Sequence, residues 1–307
     1  MAFDVSTLTA YTDETSQELV SKAVAVGKTL DRITVIPGVK GKEALNFLDN
    51  DITIADASCG FTAAGDVAFS QRVLEVTPLE VKDSLCPKTL EKYWMGQLMK
   101  PGAGTDVDVI MPLLGETYVE QIQAEIEKQI WVGDTVSSPG YGKIDGFYYK
   151  LTQESTRVTA TLGSPDIIGG PFTADNIISV VNAMVAAIPE AILDKDGLVL
   201  NMSMANYLLY TSALRTANLF HYNGENGQNF ETFIPGTSVK AVGVAGLTGT
   251  AHLILTYNDN LVYGTDLMNE EEMFKIWYSQ DNDEVRVNIQ WKMGVQIRFP
   301  EFCVCNF

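Results

Sequence analysis

The strongest pattern in the sequence is an alternation of apolar and polar residues near its C-terminal end. It runs from Val285 to Trp291, and it resumes after Gly294 and continues to Phe299. Period-two alternation puts the apolar side chains on one face of a strand, and that face must be covered. The sequence therefore predicts two antiparallel strands, or one long strand with a bulge at Gly294. Any fold of this chain has to be built around such a sheet.

Of the helices predicted ahead of these strands, three bear most on the fold. Residues from Leu114 to Ile130 carry an apolar stripe at helical spacing, and Trp131 to Asp134 end that helix. Ile177 to Ile188 is apolar nearly all round, which is typical of a buried helix. Met204 to about Leu214 forms the third helix. Helices among strands predict an α+β fold.

Polar residues mark where these helices begin. Either Thr173 or Asp175 can cap the second helix, and Ser203 can cap the third, since their side-chain oxygens accept hydrogen bonds from free backbone amides. Leu198 to Leu200 is predicted as a short strand. Leu253 to Thr256 reads as a buried strand, with a turn at Asn258 to Asn260 and a return arm at Leu261 to Tyr263.

The segment from Ile33 to Val81 is unusual for a single compact chain. Its middle, from Val39 to Gly65, is rich in Gly, Asp, Asn and Ala, and Ile52 to Ile54 is the only strand-like part of it. Arg72 to Val81 returns to a period of two. Long loops of this kind are uncommon inside compact domains. The segment is therefore either a mobile excursion or a part that another chain orders.

The composition excludes some classes of function. Lys and Arg number 21 against 39 Asp and Glu, which gives a net charge of −18. Phosphate backbones and anionic lipids are repelled by such a surface, so we expect neither sequence-specific nucleic-acid binding nor membrane association. The first residues show no signal peptide, and no apolar run is long enough to span a bilayer. The same charge favours solubility at high concentration.

The four cysteines and two histidines offer little chemistry. Cys303 and Cys305 alternate along a predicted strand and are expected to be buried free thiols on one side of it, as in a protein made in a reducing cytoplasm. His252 is predicted as a satisfied core histidine within the strand that continues to Ile254, and His221 as a solvated turn residue. No phosphate-binding loop, dinucleotide fingerprint or nucleophile elbow is found. We expect no catalytic, cofactor or metal site and no enzymatic activity.

Three stretches, in order, resemble the major capsid proteins of tailed bacteriophages with the Hong Kong 97 fold. The first is the helix from Leu114 to Ile130 with Trp131 to Asp134, followed by Asp145-Gly146-Phe147. The second is the helix, strand and Ser-capped helix between Asn176 and Leu214. The third runs from Leu253 through Asn260 to Asp266 and on to the alternating strands that reach Phe307. The resemblance covers most of the chain.

The resemblance implies how the chain is divided. An N-arm would occupy residues 1–30, and an extended loop, a β-hairpin that lies over a neighbouring subunit, residues 31–81. A peripheral domain with a long spine helix at 114–130 would span 82–144. An axial domain would span 145–284, and strands at 285–307 would return to the peripheral domain.

The resemblance also implies a function and partners. The chain would assemble with itself, as hexamers and pentamers, into an icosahedral shell around phage DNA in the virion, built in the bacterial cytoplasm with a separate scaffolding protein, a portal and other head proteins. The candidate interface residues are Lys40, Lys42, Phe47, Ile52, Ile54, Phe61 and Phe69. Some family members crosslink subunits through a Lys–Asn bond, and Lys40 or Lys42 lies in the corresponding region. The alternatives are an encapsulin-like nanocompartment shell and a soluble α+β enzyme.

Overall fold

A computed structural model of the chain describes residues 29–52, 54, 65–85, 121–136, 142–160, 171–217, 230–266, 274–279, 281–282 and 284–307. The predicted N-arm up to residue 28, Phe61, and the start of the first helix at Leu114 lie outside these residues. The strands are β1 (Thr34–Pro37), β2 (Lys42–Ile52), β3 (Gly65–Glu75), β4 (Thr77–Leu85), β5 (Val158–Thr159), β6 (Leu198–Ser203), β7 (Glu231–Phe233), β8 (Lys240–Val244), β9 (Ile254–Tyr257), β10 (Leu261–Thr265), β11 (Phe274–Ser279), β12 (Glu284–Ile297) and β13 (Val304–Cys305). The helices are α1 (residues 121–132 in the described part), α2 (Phe147–Gln153), α3 (Ile177–Ala186) and α4 (Met204–Thr216). None of the helices in this described part is long and apolar enough to cross a bilayer.

Sheet I is built around the long strand β12. Its strands follow the order β1-β10-β12-β11, and β4 also pairs with β12. The pairing with β4 continues without a break from Val285 to Met293, and the pairing with β10 continues from Met293 to Ile297. The alternation is thus one 14-residue strand. Of the two predicted alternatives, the single long strand is confirmed, but the bulge at Gly294 is wrong, because this glycine stays in register opposite Gly264.

Sheet II has the order β5-β13-β9-β6-β8-β7 and is covered on both faces. One face packs on α3 and α4, where Leu200 and Leu255 join their core. Val199 and Ile254, on the other face, belong to the core that contains α1 and sheet I. Every residue of β6 is buried, which explains its run of consecutive apolar residues.

The turn after β9 carries the chain from sheet II to sheet I. Residues Asn258–Asn260 form a 3-10 turn, and β10 then pairs with β1 and β12 instead of β9. The predicted return arm at Leu261 to Tyr263 is therefore wrong. The physical reason is the Asn260 side chain, whose Nδ2 donates to the Phe299 carbonyl at 2.8 Å and whose Oδ1 accepts from the Phe299 amide at 2.7 Å. These bonds hold the turn at the end of β12.

Helix α1 packs against both sheets. Its predicted apolar stripe is confirmed over the described residues, where Ile122, Ile126 and Ile130 are buried. They share one core with Val199 of sheet II and Val295 of sheet I. A helix on one face of two sheets joins them through a single apolar core.

The end of α1 explains the motif at Asp145-Gly146-Phe147. Gly133 and Gly146 approach the last turn of the helix so closely that a methyl group on either would overlap the Gln129 carbonyl oxygen. The Phe147 ring meets Trp131 edge-on, with ring centroids 5.4 Å apart. The motif therefore fastens the following segment to the helix end.

The two helix caps turned out differently. Ser203 caps α4 as predicted, and its hydroxyl accepts from the Asn206 amide at 3.2 Å. The prediction that Thr173 or Asp175 caps α3 is wrong, since the cap position is Asn176 and makes no side-chain cap bond. Its Oδ1 instead accepts from the Thr173 amide at 2.8 Å. The Asn176 side chain thus closes the turn before the helix.

Candidate assembly surface

Strands β2 and β3 form a hairpin that extends from sheet I as a sheet of its own. The pairing runs without a break from Lys42 opposite Glu75 to Ile52 opposite Gly65. Eleven residues of strand reach about 35 Å. An isolated two-stranded sheet is marginal in water, so the hairpin needs contacts on at least one of its faces.

The base of the hairpin crosses sheet I at two paired glycines. A methyl group on Gly294 would overlap the Glu75 carbonyl oxygen, and one on Gly264 would collide with the Leu74 side chain. Leu74 and Val76 are buried there in a small core with Val39 and Val262. The absence of side chains at Gly264 and Gly294 therefore lets the hairpin base lie directly on the sheet.

One face of the hairpin is held by the chain's own body. The Arg72 guanidinium, on β3, is 2.7 Å from the Glu154 carboxylate at the end of α2. The rings of Phe47 and Phe299 have centroids 4.8 Å apart. Residues 72 and 47 lie on the same side as the buried Leu74, because they alternate in register along the paired strands. These contacts fix the direction of the hairpin.

The opposite face is apolar and exposed. Leu48 and Phe69 are cross-strand partners, and they are 56% and 81% exposed. Closer to the base, Ala44 pairs with Val73, which is 45% exposed. We call these four residues the hairpin stripe. Exposed apolar side chains grouped on one face of a projecting element are typical of a protein–protein contact.

The structure places the predicted interface residues in different settings. Lys40, Ile54 and Phe69 are exposed, and Ile54 is 95% exposed. Lys42 is also exposed, and its Nζ lies 3.2 Å from the Glu75 carboxylate. Phe47 is half-buried against the chain's own Phe299. Ile52 belongs to β2, but its side chain, like Phe61 as a whole, lies outside the described part.

Leu48, Val73 and Ala44 belong to the same surface but were missed at the sequence level. The sequence carries no clean alternation there, since Ala44 precedes Leu45, Leu48 follows Phe47 and Val73 precedes Leu74. What the sequence does not contain is the register that brings Leu48 opposite Phe69. Cross-strand partners in a long hairpin depend on the turn and on packing at the base.

The chain shows little reactive chemistry in its described part. No group of three or more His, Cys, Asp or Glu residues there could hold a metal ion. Cys303 and Cys305 are free and buried, as predicted. Burial raises the pKa of Cys303 to about 12 and raises that of Cys305 well above its usual range. Neither thiol is a nucleophile at neutral pH, because the thiolate is the reactive form.

His252 differs from its predicted setting. It precedes β9 instead of lying within a strand, and it is half-buried. Its Nδ1 is buried and has no hydrogen-bond partner among the described residues. The expectation of a satisfied core histidine is therefore wrong, because the imidazole is held by stacking on the Tyr148 ring, with centroids 3.9 Å apart.

Comparisons with known proteins give structural similarity without sequence similarity. No protein-family model matches the sequence, and neither does any curated protein. A structure of the satellite phage P4 procapsid including size determination (Sid) protein matches 94% of this chain and 89% of its own, with a TM-score of 0.63 and 15% identity. The capsid of an empty GTA particle matches 91% and 88%, with a TM-score of 0.56 and 11% identity. A virus-like particle from Pyrococcus furiosus matches 96% and 98%, with a TM-score of 0.53 and 12% identity.

These similarities establish the fold. They span nearly the whole of this chain and of each matched chain. The predicted α+β fold of the Hong Kong 97 capsid type is therefore confirmed.

Proposed function

We propose that this chain is a major capsid protein that assembles with copies of itself into the icosahedral head shell of a tailed phage. The observation that carries this proposal is the similarity to the P4 procapsid structure over 94% of the chain. Function does not follow from fold alone, so a second, physical argument is needed. It comes from the hairpin stripe, whose apolar side chains are left uncovered by the chain's own body.

A second copy of the chain is the proposed occupant of the stripe. On the same face, the Lys42–Glu75 ion pair lies beside the Ala44–Val73 pair, and Asn46 and Gln71, which hydrogen-bond to each other at 3.0 Å, lie between the two apolar pairs. Apolar pairs with an uncharged polar pair between them suit a protein interface, because charged residues are depleted at interface centres. Neutral flanks also suit contact between copies that each carry a charge of −18.

The same proposal assigns roles to the parts of the chain. The β2–β3 hairpin is the extended loop, and residues 1–30 are the N-arm. Helix α1 is the spine helix of the peripheral domain, and sheet II with α3 and α4 forms the body of the axial domain. The observed continuity of β1 and β4 with sheet I supports a hairpin that is rooted in the peripheral domain.

The proposal includes partners and a location. A shell subunit needs no cofactor, and its role is structural and not enzymatic. We propose that it assembles in the bacterial cytoplasm with a separate scaffolding protein, and that the finished shell also holds a portal and other head proteins. The net negative charge of the chain supports a shell that does not bind its DNA tightly, since that charge repels the phosphate backbone.

Electron microscopy of the purified protein tests this function. The wild-type chain, alone or with its scaffolding protein, is expected to form hollow closed particles. The paired change Leu48→Asp and Phe69→Asp should abolish them. Burying a Leu or Phe side chain contributes about 1.5–3 kcal/mol to a contact. Every 1.4 kcal/mol changes affinity about tenfold, so losing even part of this burial free energy should weaken assembly at least about tenfold.

A matched control separates assembly from folding. Ser70→Asp adds one negative charge, as the single change Phe69→Asp does, but on the opposite face of β3, where residue 70 is also exposed. We expect this variant to assemble, and all variants to unfold at the same temperature as unassembled subunits. Normal shells from the Leu48/Phe69 variant would refute the stripe as an interface. A wild-type chain that stays monomeric with its scaffolding protein present would refute the shell function.

The contents of the particle test the nanocompartment alternative. The virus-like particle from Pyrococcus furiosus has the same fold as this chain. Particles isolated from infected cells are expected to contain double-stranded DNA, which nuclease-protection assays detect. Particles that contain protein cargo and no nucleic acid would favour the encapsulin-like alternative.

A further inference from the structure

His252 lies where several separate segments of the chain meet. Its imidazole stacks on Tyr148 of α2 with an interplanar angle of 18°. Phe307 approaches the same imidazole edge-on at 5.2 Å and the Tyr148 ring at 4.7 Å. A helix, the segment before β9 and the C-terminal segment 303–307 are thus joined through three aromatic rings.

Asn306 fixes the backbone on both sides of the histidine. Its Nδ2 donates to the Ala251 carbonyl at 2.8 Å, and its Oδ1 accepts from the Leu253 amide at 2.8 Å. Asn306 is completely buried. The imidazole is therefore positioned by the segment that it packs against, and a change at one affects the other.

Arg157 is a cation that contacts this cluster at Phe307. Its guanidinium lies 5.8 Å from the centre of the Phe307 ring, and its Nε donates to the Phe307 carbonyl at 3.4 Å. The same guanidinium donates to three carbonyls at the end of α2, those of Leu151, Thr152 and Glu154. The Phe307 ring thus lies near both a permanent positive charge and His252.

The cluster is built for an uncharged imidazole. The titratable or charged side chains with a contact in this cluster are Tyr148 from α2 and Arg157 from the segment before β5. Burial is the cause of the lowered pKa of His252. Protonation would add a second cation next to the Phe307 ring and put a buried proton on Nδ1, which has no acceptor there.

We propose that His252 is an acid-sensitive latch, which holds the C-terminal segment 303–307 against α2 and the start of β9 while it is neutral and loosens that segment when it is protonated. The pKa of His252 is lowered from its ordinary value of about 6.5 in the folded chain. The latch therefore contributes its full stability above about pH 6.5 and loses it as the pH falls below that value. The device is independent of the shell function.

Hydrogen–deuterium exchange on unassembled subunits tests the latch. The reporting amides are Val158, which donates to the Cys303 carbonyl, Ala160, which donates to the Cys305 carbonyl, and Leu253. The exchange rates are first corrected for the intrinsic pH dependence of exchange. The opening equilibrium constants of these amides should then rise at least about twofold when the pH falls from about 7.5 to about 5. The amides of α3, which is remote from the cluster in sequence, serve as the internal reference.

Two substitutions identify the titrating group. His252→Phe keeps an aromatic ring in the stack but cannot be protonated, so its exchange at these amides should not change with pH. His221→Gln removes the other histidine of the chain and should leave the acid response intact. An unchanged acid response in His252→Phe, or no response in the wild type, would overturn the latch.

A second measurement covers the case in which His252→Phe does not fold. The two histidines of the wild-type chain can be titrated by NMR, with His221→Gln used for assignment. The pKa of His252 is expected below that of an ordinary histidine. A value at or above the ordinary one overturns the proposal, whether or not the chain forms shells.

Discussion

Two glycines in sheet I decide where the hairpin can lie. Gly264 and Gly294 are opposite each other in the β10–β12 pairing, and the chain at Leu74 to Val76 passes over them. Neither glycine has a positive φ, so their role is space and not backbone freedom. From the sequence alone, Gly294 suggested a broken strand, because an isolated glycine in a strand pattern often marks a bulge.

A methyl group at residue 294 should therefore destabilise the chain. The Glu75 carbonyl that it would meet is backbone and cannot rotate away, so we expect Gly294→Ala to lower the free energy of unfolding by about 1–3 kcal/mol. Urea unfolding followed by tryptophan fluorescence measures the change. Gly41→Ala is the matched control, since a methyl there has nothing within 4 Å. Equal stability of the two variants would show that the crossing is not tightly packed.

At the scale of single elements, one residue both ends the strand β6 and caps the helix α4. Ser203 is the last residue of β6 and also the N-cap of α4. Its hydroxyl satisfies the Asn206 amide, which has no carbonyl partner in the first turn of the helix. The position is buried, so water cannot replace the hydroxyl.

Ser203→Ala should lower the free energy of unfolding by about 1 kcal/mol, with about 2 kcal/mol as the upper limit for an N-cap. The control is Ser212→Ala, an exposed position in the same helix, where alanine is the better helix former and no loss is expected. Chemical denaturation of the two variants side by side gives the comparison. A similar loss in both would mean that the cap bond does not contribute.

The elements that local pattern predicted are those whose signal lies within a few residues. The stripe of α1, the cap of α4 and the alternation of β12 all belong to this class. The course of β10 could not be predicted locally, because it depends on Asn260 bonding to Phe299, 39 residues away. The hairpin stripe was predicted in part. Phe69 was named as an interface candidate on the strength of the family resemblance, but Leu48 enters only through the β2–β3 register.

At the scale of the whole molecule, charge opposes assembly and apolar contact favours it. Each copy carries a net charge of −18, and neighbouring copies in a shell repel one another. Salt screens this repulsion, since the screening length falls from about 30 Å at 0.01 M to about 10 Å at 0.1 M ionic strength. The apolar hairpin stripe is little affected over this range.

We therefore expect the critical concentration for assembly to fall as sodium chloride rises from about 0.01 M to about 0.1 M. Light scattering over a series of subunit concentrations measures it. Sucrose at matched osmolality is the control, because it adds solute without screening charge. Assembly that weakens with added salt over this range would indicate that ion pairs, and not apolar contacts, hold the copies together.

The core shared by both sheets limits how the chain could be divided or extended. Because α1 covers sheet I and sheet II together, a cut between them would expose Val199 and Ile254 on one piece and Val295 on the other. Neither piece would be expected to fold alone. The outer edge of sheet II is different, since the turn between β7 and β8 has an exposed tip around Gly236. Added sequence is tolerated best at such tips, so cargo or display peptides are better inserted there than between the sheets.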